Sequence, residues 1–389
     1  MISNDFLAPV SDSLLTNYTD GVGQTLGSKI RIHQEIEGLP DLDGVKIAIF
    51  GVLEDRLSVN NTGCDRGIDA VRHFLYQLFP GEWGLQIADL GNIYKGDTAS
   101  DTYAAMRYII VELLQKNIIP VVIGGSQEAT YHLYRAYDNL EQSVNLVCAD
   151  PRFDLGDFNL ELNDENYLSH IVLQKPHNLY SFANLGYQTY FVNPEERDLM
   201  GRMYFDTYRV GQLRPFSNAE PPIRNSDIVS IDISVVRAAE APGHRQASPN
   251  GLTGEEICAL SRYAGLSDKL SLFGVFGYNP GMDINARTAQ LIAEIVWYFI
   301  EGVSQRKGDF PIGSKSDYQK FTVIMEDNHE LVFYKSPKSG RWWIEGPAEN
   351  NMGNGNDRNR LIPCKPSDYE EAMEGEIPLT WWNALKRLD

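Results

Sequence analysis

Residues 144–154 read VNLVCADPRFD: six residues without a charge, then two carboxylates set around a proline and an arginine. An uncharged run that ends so abruptly in charge is the pattern of a buried strand whose carboxyl end opens onto a polar crevice. The same pattern stands upstream in IIPVVIGGSQEA (118–129) and downstream in IVSIDISVV (228–236). Between these runs lie stretches of helical period. Residues 100–116 carry Met106, Ile109, Ile110, Leu113 and Leu114 on one side, and the stretch after Gly67 carries Ile68, Val71, Phe74, Leu75 and Leu78. Further helices are expected over 129–137, 253–264 and 285–302, with strands at Val45–Val52, 85–88 and 270–278. Strands alternating with helices predict a three-layer α/β/α fold around a mainly parallel sheet.

The chain has 389 residues, 34 Lys+Arg against 53 Asp+Glu and a net charge of −19. So acidic a chain is ill suited to displacing counterions from a phosphate backbone, so nucleic acid is not an expected partner. The first residues carry no basic, then apolar, leader pattern, and no apolar run reaches the ~18 residues that cross a bilayer. The expectation is a cytoplasmic protein without membrane insertion. Cys64, Cys148, Cys258 and Cys364 are widely spaced, as buried thiols are, and form no CxxC.

Three segments follow: an N-terminal extension at 1–44, an α/β domain at 45–308, and a β-rich C-terminal appendage at 309–389. In the last, FTVIMEDNHELVFYK (321–335) predicts two strands joined at Asp327-Asn328, and RWWIEG (341–346) a third. Trp342, Trp343, Trp381 and Trp382 are four of the chain's six tryptophans. That is too much aromatic surface for a solvated tail, so the appendage is expected to dock on the core or on a partner. Residues 349–360, rich in Asn and Gly, read as a loop.

In a parallel sheet the ends of neighbouring strands converge, so Asp150, Asp154 and Asp232 are expected to meet. Three converging carboxylates call for a compensating cation, either a hard metal ion or a guanidinium. The alternative is that each caps its own loop. No Walker-type phosphate loop is present.

From about Val45 to Gly302 the chain resembles the ureohydrolase superfamily of arginases, agmatinases and formimidoylglutamases. The metal motifs Gly-Gly-Asp-His, Asp-Ala-His-x-Asp and Ser-x-Asp-x-Asp are matched by Gly124-Gly125-Ser126-Gln127, Asp150-Pro151-Arg152-Phe153-Asp154 and Ser230-Ile231-Asp232-Ile233-Ser234. Ala241-Pro242-Gly243, Gly251-Leu252-Thr253 and Asn279-Pro280 fall where the family has further signatures. The resemblance implies the family fold and a dinuclear manganese centre whose bridging hydroxide attacks a guanidinium or formimidoyl carbon.

Three implied ligands are changed here: Gln127 and Arg152 stand for histidines and Ser234 for an aspartate. At most one ion is then expected, weakly held Mg²⁺, Ca²⁺ or Mn²⁺ on Asp150, Asp154, Asp232 and Gln127, and no resident cofactor otherwise. Arg152 has no lone pair to offer a metal and is expected to pair with at least two of the three aspartates. Gly277 and Gly274 replace the family's acidic substrate-binding positions. His170 is a candidate proton shuttle, and His244 can line the crevice opening beside Arg152, Ser234 and Gly277. These changes lead to the expectation of a non-catalytic binding or scaffolding protein, engaging a protein partner or itself, with room for a small molecule in the crevice. The alternative is a C–N hydrolase of the formimidoylglutamase or agmatinase type with one metal or an altered site.

Overall fold

The computed structural model describes residues 4–19, 23–140, 142–310, 315–326, 329–347 and 360–387. Its centre is a ten-stranded sheet built from β1 (Leu7–Ala8), β2 (Arg31–Ile32), β3 (Val45–Val52), β4 (Gln86–Ile93), β5 (Ile119–Ile123), β6 (Val144–Ala149), β7 (Leu179–Tyr187), β8 (Asp206–Arg209), β9 (Ile228–Asp232) and β10 (Leu272–Phe276). The spatial order is β1-β4-β3-β5-β10-β9-β6-β7-β8, with β2 also on β4, and β1 alone runs antiparallel. The five residues of β5 and the six of β6 are buried throughout, as strands covered on both faces must be.

Helices α1 (Asp12–Thr19), α6 (Pro194–Arg202) and α7 (Glu220–Arg224) flank the sheet, and two apolar cores lie on its two faces. One packs α2 (Ile68–Gln77), α8 (Gly254–Leu266) and α9 (Arg287–Ser304) against Ile47, Ile49, Val121, Val229 and Phe273. The other packs α3 (Ala99–Gln115), α4 (Ala129–Arg135) and α5 (Tyr167–Leu173) against Ala48, Phe50, Val122, Leu146 and Cys148. The alternation of partners along β3 is the period of two of a strand read from its two faces. This is the three-layer arrangement the alternating pattern predicts.

Helix starts follow their caps. Thr98 and Asp101 exchange hydrogen bonds of 2.9–3.2 Å at the start of α3, and Thr253 with Glu256 do the same for α8. Helix α9 begins two residues later than its periodicity predicts. Asn285 and Ala286 adopt left-handed φ of 55° and 54°, and Asp283 accepts the Thr288 N–H instead. All four cysteines are free and buried. No helix among the described residues is long and apolar enough to cross a membrane.

The C-terminal segment forms a separate antiparallel sheet, β11 (Gln319–Ile324), β12 (Glu330–Lys335), β13 (Trp342–Glu345) and β14 (Leu361–Cys364). Two helices that the sequence reading did not anticipate follow, Pro366–Met373 and Leu379–Lys386. Trp342, Trp343 and Trp381 are buried, while Trp382 is exposed. The turn expected at Asp327-Asn328 and the loop expected at 349–360, apart from Arg360, lie outside the described residues.

Candidate functional site

Strands β5, β10, β9 and β6 are consecutive neighbours in the sheet, so the loops that leave their carboxyl ends meet in one crevice. Gln127 comes from the first loop, Gly277 from the second, Asp232 and Ser234 from the third, and Asp150, Arg152 and Asp154 from the fourth. The loops are also tied together. Gly124 N–H donates to Val275 O at 3.0 Å and Gly277 N–H to Gly125 O at 2.9 Å, which joins the turns after β5 and β10.

Each carboxylate first serves its own loop. Asp150 Oδ1 accepts the Arg152 N–H at 2.7 Å, and Asp232 Oδ1 accepts the Ser234 N–H at 2.7 Å. Asp154 sits at a left-handed φ of 52°, a conformation that costs a non-glycine residue free energy and that this loop retains. Burial, then the charge of Asp232, pushes the Asp150 carboxyl well above the usual carboxylate range. Burial, then Asp150, does the same to Asp154. These acids are short of positive charge.

The Asp150 and Asp154 carboxyls meet each other, and two oxygens at these strand ends lack a hydrogen-bond donor. Gln127 Oε1 and Asp150 Oδ2 are buried without a hydrogen bond, although Gln127 Nε2 donates to Ser230 Oγ at 3.2 Å. Buried oxygens are ordinarily satisfied, so an orphaned pair marks a place for a missing donor or cation. Among the described residues, no three His, Cys, Asp or Glu side chains stand close enough to hold a metal ion as they are placed. The fit therefore differs between the two manganese positions that the resemblance implies. One set, Gln127 with Asp150, Asp154 and Asp232, is all hard oxygen donors and carries the two orphaned atoms, so it suits a single divalent ion. The other would need lone pairs from Arg152, which has none, and a charge from Ser234, which is neutral.

Arg152 differs from expectation. Its guanidinium makes no ion pair with Asp150, Asp154 or Asp232; it lies over the Phe191 ring, 4.6 Å from the centroid. Asp150 Oδ1 is instead bound by the backbone N–H of Arg152, and the Arg152 carbonyl is held by Asn184 Nδ2 at 2.8 Å. Against the larger effect of burial, the guanidinium charge still lowers the pKa of the Asp150 and Asp154 carboxyls from a distance. His244 turns into the crevice. Its Nδ1 accepts the Gln246 N–H at 3.0 Å, so in the neutral ring Nε2 carries the proton, and that atom stands 3.9 Å from Asp232 Oδ1. Burial holds the ring below the usual histidine range. Gly277, at φ +80°, leaves the room: a Cβ there would lie 3.1 Å from His244 Cδ2 and 3.2 Å from Asp232 Oδ1. His170 packs on α5 against Phe158 and Tyr131, with Nδ1 2.8 Å from Gln174 Nε2.

Sequence reasoning missed Glu128, Asp164 and Asn61. Glu128 is fully buried, takes 2.6 Å hydrogen bonds from Ser126 and Tyr103, and is pushed up to about 7 by burial. Its place beside Gln127 was the available signal. Asp164 receives Ser58 Oγ at 2.6 Å, and Asn61 Nδ2 donates to Gly277 O at 2.7 Å. Both act across long stretches of chain, for which sequence spacing offers no signal.

The model of the arginase family matches residues 45–301. A protein named formimidoylglutamase from Lysinibacillus sphaericus is 26% identical over 292 residues, covering 69% of this chain and 90% of its own. Another of that name from Staphylococcus carnosus is 27% identical over 303 residues, covering 71% and 94%. Among solved structures, the formiminoglutamase of Trypanosoma cruzi with Mn²⁺ superposes with a TM-score of 0.64 at 17% identity, over 73% of this chain and 99% of that one. The formimidoylglutamase of Bacillus subtilis gives 0.65 at 14%, over 73% and 93%. These relatives overturn the expectation of a non-catalytic binding or scaffolding protein. Curated relatives that align along nearly their whole length carry an enzyme's name, and the strand-end carboxylates Asp150, Asp154 and Asp232 are present here. With its fold, its strand-end crevice and the match over 45–301, the chain belongs to the arginase family.

Proposed function

We propose that this chain is a C–N hydrolase of the formimidoylglutamase type, acting on a linear amidine through a crevice that takes one divalent cation. The observation that carries the reading is the orphaned pair Gln127 Oε1 and Asp150 Oδ2, buried beside carboxylates that lack a counter-charge. Asp150, Asp154, Asp232 and Gln127 would hold the ion. When bound, such an ion lowers the pKa of water and polarises the bond to be attacked.

The chain's own residues supply the rest. Nε2–H of His244 offers a donor beside Asp232, fixed in that tautomer by the Gln246 N–H. Asn61 holds the Gly277 carbonyl and receives the Arg245 N–H at 3.1 Å, so the rim opposite β6 is set by one amide. Glu128, tied by Ser126 and Tyr103, anchors the start of α4 under Gln127.

The test is turnover of N-formimidoyl-L-glutamate by the purified full chain with added Mn²⁺, followed as glutamate release. Saturable turnover is expected, with a loss of about a hundredfold or more in Asp150→Asn, since even supporting groups around a metal are worth 10- to 100-fold. Turnover that persists undiminished in Asp150→Asn, or that is absent with every divalent ion tried, refutes the reading.

A further inference from the structure

We propose that the cavity at the amino ends of β3, β5 and β10 binds a small carboxylate with an apolar body, at a site separate from the strand-end crevice and independent of the hydrolase reading. The cavity measures about 270 Å³. The three strands are neighbours in the sheet, and residues that open or precede them line the space: Lys46 on β3, Asn117 and Ile118 before β5, and Asp268 to Ser271 before β10. The crevice lies past the other ends of the same strands. Across the five residues of β5, at ~3.3 Å each, that is roughly 17 Å away.

Three cationic side chains line this space: Lys46, Lys269 and Arg306. Lys269 is buried, with Nζ 3.2 Å from Asn225 Oδ1 and 3.9 Å from Asp227 Oδ2. Arg306 donates from Nε to Gly265 O at 2.8 Å and from Nη2 to Leu270 O at 3.0 Å, so the backbone fixes its guanidinium through two of three nitrogens. Lys46 Nζ makes a long bond of 3.4 Å to Asn117 O. Among the described residues, neither Lys46 nor Arg306 has a carboxylate within 4.0 Å. The two cations act on each other instead: burial, then the Arg306 charge, holds the Lys46 ammonium below its usual range. Burial likewise pushes the Arg306 guanidinium down to about 10, against the raising effect of Asp268. Like charges held together at a cavity without a counter-ion leave a place for an anion.

The nearby acids are already engaged. Asp268 accepts the Gly308 N–H at 3.2 Å and the Asp309 N–H at 2.9 Å, and Asp309 faces Arg341 at 3.8 Å. Asp227 accepts Gln142 Nε2 at 3.1 Å and the Asn145 N–H at 2.9 Å. Against Asp268 and Asp227, the three cations leave one positive charge in excess, which suits a monoanion. The remaining walls decide what that anion carries. Leu114, Ile118, Leu140 and Leu270 are apolar, and Tyr137 is buried beside them with its hydroxyl 2.6 Å from Ser271 Oγ. An inorganic ion would leave this apolar surface uncovered, whereas a carboxylate on a hydrocarbon or aromatic body would bury it. The planar guanidinium is also the group that best matches a carboxylate.

Isothermal titration of the full chain with benzoate, its neutral isostere benzamide and inorganic phosphate tests the site. Benzoate should bind saturably, one per chain, with benzamide and phosphate each at least about tenfold weaker, the scale of one charge-assisted contact or of a buried apolar group. Lys46→Gln should weaken benzoate by at least about tenfold, and Asp150→Asn, in the crevice, should leave it within about twofold. Arg306→Gln should weaken it as well, but it also takes a donor from two carbonyls; should that variant fail to fold, Lys46→Gln and the benzamide comparison still decide. Absence of benzoate binding, benzamide or phosphate binding as tightly as benzoate, or benzoate binding that is kept in Lys46→Gln or lost in Asp150→Asn, overturns the proposal.

Discussion

Gly277 and Glu54 show how single residues set the crevice. The backbone at Gly277 holds φ at +80°, and a methyl group there would press on His244 and Asp232 at 3.1–3.2 Å. Gly277→Ala should therefore cost about 1–3 kcal/mol of stability in urea denaturation, from left-handed strain and crowding together; an unchanged midpoint would show that the loop has slack. Glu54 acts from behind. Its carbonyl accepts the Ser126 N–H at 3.1 Å, and its buried carboxylate takes Arg56 Nε at 2.9 Å. Burial pushes Glu54 up, but the Arg56 bonds outweigh it and hold the group below its ordinary 4.5. The folded state thus binds the proton less readily than the unfolded state. The stability this contributes is present above about 4.5 and is lost as pH falls through the lower folded value. Unfolding measured from pH 6 to pH 3 should fall more steeply in wild type than in Glu54→Gln, and parallel curves would remove Glu54 from the account.

At the scale of elements, what could be read was what burial and period dictate. The uncharged runs of β5 and β6, and of β9 up to Asp232, were legible because a strand covered on both faces tolerates no charge, and the acids and amide at their ends were legible because charge returns where burial stops. Strand β7, LYSFANLGY, was not, although it is the nine-residue neighbour of β6. Ser181, Asn184 and Gly186 break its apolar pattern, and each has a partner only in three dimensions. Ser181 meets Asn145, Asn184 holds the Arg152 carbonyl, and a Cβ at Gly186 would lie 2.7 Å from Val235. The end of β4 escaped because Gly91, at φ +80°, is held by Arg72 from another element, and the start of α9 because Asn285 and Ala286 are left-handed and Asp283 caps Thr288. In the site, identities at Gln127, Arg152 and Ser234 were read as loss of function. Sequence shows which residue types differ from the family motifs, but not that two buried oxygens lack a hydrogen-bond partner or that Arg152 lies over Phe191 without an ion pair to the acids.

The whole molecule is two sheets joined by several polar contacts, among them Arg341 to Leu266 O, Lys365 to Asn218 and Arg387 to Asp206, and one buried guanidinium. The family match ends at residue 301, so the four-stranded C-terminal sheet lies outside it. Helix Glu220–Arg224 precedes β9, at the amino end of the strands and on the side away from the crevice. There Arg224 donates to Trp342 O and Cys364 O at 3.1 Å each, pairs with Glu220 at 3.0 Å, and lies 4.6 Å from the Trp343 ring centroid. Those two carbonyls belong to β13 and β14, so this buried side chain stitches two strands of the second sheet to the first domain. Burial holds Arg224 below its ordinary value, against the raising effect of Glu220, but a guanidinium stays charged at any ordinary pH. Removing it takes one donor from each of two carbonyls and breaks the pair with Glu220, which keeps only Arg341 at 3.5 Å, and should cost about 3–5 kcal/mol, the range for breaking a buried pair from one side. In Arg224→Ala the tryptophan fluorescence, dominated by Trp342, Trp343 and Trp381 at this junction, should then change at a lower temperature than the far-ultraviolet dichroism of the α/β domain. Wild type should show the two transitions together. Because the stitch lies at the opposite end of the strands from Asp150 and Asp232, ligand binding in the crevice should survive in the variant below its first transition. Coincident transitions in Arg224→Ala would mean that the two sheets form one cooperative unit held by their apolar contact rather than by this residue.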